Sequence, residues 1–172
     1  MDGSEKMKDT TAGRLSILIE EHAGEKFTWE FACDCAEKVL PLLETNERLV
    51  EALRVTRAFI KGEVSEEQFL EVKRSLGERQ EVALHVGESI NRSVVRAVFR
   101  AVTCAVDNEA RQGAFATIWA LAWTSMKTEG DGKGEAPEDR WVNMWEKTAG
   151  ELIERLVALK EKHTHGFNEG DT

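Results

Sequence analysis

The sequence predicts an all-α fold: one domain over residues 1–172, built as a bundle of six or seven helices. Three observations predict it. Apolar residues recur three and four apart along most of the chain, which is the spacing of one helix face. No window sustains the period-two alternation, rich in β-branched and aromatic residues, that marks a strand. The joints between periodic segments carry helix caps and breakers, among them Gly24, Asn46, Gly62, Ser65 and Pro137. A chain of 172 residues falls in the range of one domain. Its 41% hydrophobic content is enough for a core and excludes a disordered chain.

The first helix carries Leu15, Leu18 and Ile19 and ends at Gly24. The second starts near Thr28, read as its N-cap. Its apolar face holds Phe31, Ala32, Cys35, Ala36, Val39, Leu40 and Leu43. Pro41 lacks a donor and clashes with the carbonyl of Glu37, so a kink or break is expected there. The third helix spans about Asn46 to Lys61, capped by Asn46 and stopped at Gly62 by a left-handed turn. Ser65 and Gln68 then form a capping box for a fourth helix that reaches about His85. Gly77 inside it marks a close approach or a break.

A fifth helix covers about Glu88 to Val106, with Ile90, Val94, Val98, Ala101 and Val102 inward. Asp107-Asn108 joins it to a sixth, from about Glu109 to Lys127. Residues 128–136 hold three glycines and few apolar groups, the composition of a flexible loop. Pro137 suits the first position of the last helix, which runs to about His163 with Trp141, Trp145, Leu152, Leu156 and Leu159 on one face. The ends, 1–10 and 164–172, have little to bury and are expected to be disordered. No internal repeat is present.

Charge narrows the function. Lysine and arginine number 23 against 32 aspartate and glutamate, a net −9. Phosphate contacts need a basic surface, so nucleic acid is not the expected partner. An acidic chain favours solubility and basic partners. The segment after Met1 has no apolar run of a secretory signal. The longest weakly charged stretch, Gln112 to Met126, is too short to span a bilayer. A cytoplasmic location, no membrane and reduced thiols are therefore expected, the three cysteines being an odd number.

Several residue groups are candidate sites. Cys33-Asp34-Cys35 is a poor metal site, because residues two apart on a helix point about 200° apart. Cys35 lies on the apolar face and reads as a small buried hydrophobe, as does Cys104. The four histidines are scattered and form no catalytic spacing. Glu30, Asp34 and Glu37 share a helix face. Such a row is usually solvated, yet it can bind a basic partner or do acid–base work. Arg92, Arg96 and Arg100 repeat every four residues, and this stripe is expected to dock on that acidic row. Trp119/Trp123 and Trp141/Trp145 are i, i+4 pairs, expected to pack as core between the last two helices. Gly130, Gly132 and Gly134 match neither a P-loop nor a dinucleotide fingerprint, and no cofactor is expected. From Thr128 to Asp139 five acids stand against Lys133 alone. Glu129, Asp131, Glu135 and Glu138 could thus search for a basic partner, with a solvated linker as the plainer reading.

One segment resembles a known family. Phe31-Ala32-Cys33-Asp34-Cys35-Ala36-Glu37-Lys38-Val39-Leu40-Pro41 is similar to the FACDCAERVLP signature of the immunity-protein-five-like family, prokaryotic helical proteins. Glu51-Ala52-Leu53-Arg54-Val55-Thr56-Arg57-Ala58-Phe59-Ile60-Lys61-Gly62-Glu63 is similar to that family's EAIEAARAWARGE stretch. The likeness spans about Trp29 to Val64, roughly a fifth of the chain, and fades afterwards. A histidine in the family's later alanine-rich helix has no counterpart here, where Cys104 and Asn108 stand. The resemblance implies a non-enzymatic protein that binds and neutralises a toxin domain. The alternative is a small-molecule or metal-binding helical protein using Cys33, Asp34, Cys35 and Glu37.

Overall fold

A computed structural model describes residues 10–43, 47–85, 89–107, 110–128 and 137–166. Among the described residues seven α-helices follow one another: α1 Thr11–Glu21, α2 Lys26–Val39, α3 Glu47–Ile60, α4 Glu66–His85, α5 Ser89–Asp107, α6 Ala110–Thr128 and α7 Pro137–Gly166. A single 3-10 turn, Leu40–Leu42, follows α2, and no strand occurs among the described residues. The all-α bundle is therefore present, and Pro41 breaks α2 into that turn.

Local chemistry sets most of the boundaries. Gly24 and Gly62 hold φ of 89° and 77°, the left-handed conformation that side chains resist. At Ser65 the capping box closes reciprocally: the Ser65 N–H donates to Gln68 Oε1 and the Gln68 N–H to Ser65 Oγ, both at 3.2 Å. Pro137 opens α7.

Four expectations are corrected. Thr28 is not a cap: α2 begins two residues earlier after Glu25, and the Thr28 hydroxyl donates to the Glu25 carbonyl at 2.6 Å from a buried position. Thr10, assigned to a disordered end, is the N-cap of α1, its Oγ1 accepting from the Gly13 N–H. Thr128, assigned to the loop, belongs to α6. The last helix continues to Gly166, and Thr164 Oγ1 donates back to the Lys160 carbonyl. The other loop residues, the remaining ends, and the expected caps at Asn46 and Asn108 lie outside the described residues.

The core wraps α2, which packs against α3, α5, α6 and α7. Phe27, Phe31, Ala32, Cys33, Cys35, Ala36 and Val39 are all buried, while Glu30, Asp34, Glu37 and Lys38 take the more open side of α2. Small residues bring α5 and α6 together: Gly113 lies against the backbone of Ala97 and Ala101. A Cβ added at Gly113 would stand 3.4 Å from the Cβ of Arg100, so glycine permits the approach. Across the α3–α4 turn, Phe59 and Phe69 stack with centroids 4.3 Å apart. Gly77 interrupts nothing in α4, where a Cβ would meet Phe99 at ordinary contact distance.

Two bonds join segments distant in sequence. Thr117 Oγ1 on α6 donates to the Cys35 carbonyl on α2, buried, at 3.0 Å. On α7, Glu146 Oε2 accepts from the Thr11 N–H at 2.8 Å, so a carboxylate 135 residues away caps the N-terminus of α1. Burial opposes the Glu146 charge, but bonds from the Thr11 side chain and from the Thr11 and Ala12 backbone outweigh it and hold the carboxyl below its usual range. A depressed carboxyl stabilises the fold above its unfolded pKa, near 4.3, and loses that stabilisation as pH falls through the folded value. Glu146→Ala should cost about 1 kcal/mol at pH 7 by urea denaturation, a typical cap magnitude. The gap between variant and parent should close below about pH 4; a gap of constant size would assign the loss to packing.

Candidate functional site

The carboxylates of α2 and the guanidiniums that meet them form the densest polar cluster. Helical spacing sets Glu30, Asp34 and Glu37 along one side of α2. Asp34 accepts from two helices: Arg57 Nη2 on α3 reaches Oδ1 and Arg155 Nε on α7 reaches Oδ2, each at 2.6 Å. Arg57 also donates through Nε to Glu37 Oε1 at 2.8 Å. Burial works against the Arg57 charge, and the bonds to Glu37 and Asp34 outweigh it, leaving its pKa raised. Glu30 lies 3.3 Å from His163 Nε2 on α7. Beside this row, Lys38 pairs with Glu151 of α7 at 3.0 Å.

The acidic row is thus matched from inside the chain by α3 and α7. The expected docking of Arg92, Arg96 and Arg100 is replaced: the row's partners are Arg57, Arg155 and His163. Arg92 and Arg96 are exposed on α5, and Arg100 lies 5.8 Å from the Phe99 ring centroid. Asp34 keeps only 17% of its side-chain surface, whereas Glu37 keeps 49%. The two segments that carry the family resemblance meet here, because Arg57 of the second grips Asp34 and Glu37 of the first.

The three cysteines are all fully buried. Periodicity placed Cys35 and Cys104 inside and left out Cys33, which α3 and α5 cover from another side of α2. Burial pushes the Cys33 thiol up to about 12, against a smaller pull from Arg57. Burial likewise raises Cys35, with Asp34 adding to it. Such thiols are protonated and poor nucleophiles or ligands at neutral pH. Among the described residues no group of three or more His, Cys, Asp and Glu side chains could hold a metal ion.

Of the cavities elsewhere among the described residues, two flank α1. One of about 150 Å³ is lined by Ile19, Thr28, Cys104 and Gln112 beside the Arg111–Glu20 pair. Another, of about 270 Å³, is lined by Leu18, His22, Leu156, Lys160 and His165. Neither adjoins a nucleophile paired with a base.

The tryptophan pairs depart from expectation. Trp119, Trp123, Trp141 and Trp145 do pack together between α6 and α7, with centroids 5.2–6.2 Å apart. They are not core. Trp119 is 40% exposed and Trp123 36%, because α6 turns its alanines inward and its indoles out. Of the acidic residues near the glycine loop, Glu138 is exposed in the first turn of α7. Glu129, Asp131 and Glu135 lie outside the described residues. No helix among the described residues is long and apolar enough to cross a membrane. No protein-family model, curated protein or solved structure matches the chain.

Asp34→Asn should cost about 1–3 kcal/mol in denaturant unfolding, since it removes a mostly buried charge from two cations. Glu37→Gln, half-exposed, should cost less than about 1 kcal/mol. Equal effects would show that Asp34 is as solvated as Glu37. The three thiols should label slowly in the native protein and together upon unfolding; rapid native labelling of Cys33 would contradict its burial.

Proposed function

We propose that this chain is a non-enzymatic interaction protein, an immunity protein that binds and neutralises a basic toxin domain. The observation that carries the reading is an acidic chain whose reactive side chains are turned inward while large hydrophobic groups face out. Cys33 and Cys35 are buried and protonated, and Asp34 is held by Arg57 and Arg155. Trp119, Trp123 and Val142 are exposed. Exposed apolar surface on a soluble bundle suits contact with another macromolecule. A net charge of −9 speeds the capture of a basic partner and discourages like-charged ones. The resemblance of the Phe31–Pro41 and Glu51–Glu63 segments to immunity proteins agrees with this reading. In this reading those segments act as scaffold and the partner is met elsewhere, since Asp34 and Glu37 are already engaged by Arg57. The alternative, ligand chemistry at Cys33, Asp34, Cys35 and Glu37, would need side chains that here are buried or already engaged.

The test pairs the purified chain with a toxin domain encoded beside it. A stable complex and rescue of growth on co-expression are expected. Absence of a complex, or a stoichiometric metal in the purified protein, would overturn the reading. Neutralising Glu129, Asp131, Glu135 and Glu138 together to glutamine or asparagine should slow association and flatten its salt dependence. Folding stability should barely change, because Glu138 is exposed and exposed charges contribute little. An unchanged on-rate at low salt would remove these four residues from the encounter.

A further inference from the structure

We infer that the tryptophan face shared by α6 and α7 is the partner-binding surface, and that it takes arginine side chains presented by a basic protein. The inference deepens the reading above and rests on it. Its apolar part is Trp119 and Trp123 on α6, with Trp141 of α7 set edge-on to both at centroid distances of 5.2 and 5.4 Å. Two-fifths of a tryptophan is on the order of 100 Å², and Trp119 and Trp123 each offer about that to solvent, at 40% and 36% exposure. Val142, next to Trp141, is 56% exposed. Tryptophan is the residue most enriched among interface residues that dominate binding, and single exposed apolar residues would need no such account.

The charge beside this face names the occupant. Glu138 stands one helical turn before both Trp141 and Val142, at i+3 and i+4, and Asp139 one turn before Val142. Both acids are exposed, whereas Arg140, which follows them, is half-buried and engaged within the chain. Indole surface flanked by carboxylates suits a guanidinium, which stacks on the ring and pairs with a carboxylate through its fork. An ammonium lacks the plane and the fork. A second copy of this chain would bring the same acids against themselves, each protomer carrying −9. The Asp34 side of α2 offers no comparable face, because its carboxylates already hold Arg57 and Arg155.

The experiment titrates the whole chain, in low salt, with an acetylated nine-residue arginine–glycine peptide and with its lysine counterpart, followed by calorimetry. Tighter binding of the arginine peptide is expected. Trp119→Ala/Trp123→Ala, checked for an unchanged helical spectrum and melting point, should weaken it about tenfold. Glu138→Gln/Asp139→Asn should weaken it and flatten its salt dependence. Equal affinity for the two peptides, or a folded double tryptophan variant that binds like the parent, would overturn the inference by assigning binding to bulk charge. Should the tryptophan variant fail to fold, Val142→Arg at its exposed site decides: it should repel the arginine peptide, and unchanged binding overturns the surface. Sedimentation of the parent as a dimer that Val142→Arg dissociates would make the face a self-contact and overturn it too. A toxin-domain complex that forms undiminished with Val142→Arg would leave the interaction reading standing and remove this surface alone.

Discussion

Asp34 joins three helices. Its two oxygens hold guanidiniums from α3 and α7, and Arg57 is shared onward with Glu37. The stability gained is modest, since drawing two charges out of water offsets much of their attraction. The geometric effect is larger. Apolar burial has no direction, and Cys33 extends the buried part of α2 beyond its main apolar stripe. Side-chain burial sets the rotation of α2 coarsely, and the ion pairs refine it. The Asp34 carboxylate must face Arg57 and Arg155, and that fixes which side of α2 each remaining residue presents. Cys33 then turns to the interior together with Cys35, and the Cys35 carbonyl is placed to accept the Thr117 hydroxyl of α6.

Most of the architecture was legible in the sequence because its causes are local. The capping box at Ser65, the left-handed turn at Gly62, the break at Pro41 and the opening of α7 at Pro137 each depend on a few neighbouring residues. Periodicity read the inner face of α5 correctly at Val94, Val98, Ala101 and Val102. On α2 it read Phe31, Ala32, Cys35, Ala36 and Val39 correctly and missed Cys33, which is buried off that stripe. Thr28 has the chemistry of a cap, but its hydroxyl serves the Glu25 carbonyl inside the first turn. The choice between those roles is made by tertiary packing.

The candidate site was less legible. A row of carboxylates at helical spacing is visible in one dimension, but the cations that meet it are not. Arg57 and Arg155 stand 23 and 121 residues from Asp34. The evenly spaced stripe at Arg92, Arg96 and Arg100 looked the better match and lies on another helix face. The tryptophan spacing correctly indicated that each pair shares a face. It could not tell which way α6 would turn. The close approach of α5 at Gly113 needs small side chains inward, and the indoles go to the side that remains.

The long-range cap of α1 bears on the order of events during synthesis. The Thr11 N–H is satisfied by Glu146, and α2 is gripped by Lys38–Glu151, Asp34–Arg155 and Glu30–His163, all reaching back from α7. A ribosome adds about 5–20 residues per second, so roughly 7 to 27 seconds separate Thr11 from its partner. Through that interval the Thr11 N–H and the carboxylates of α2 lack their α7 partners. The N-terminal helices cannot reach their final state as they emerge, and α7 closes the molecule from the far end of the chain.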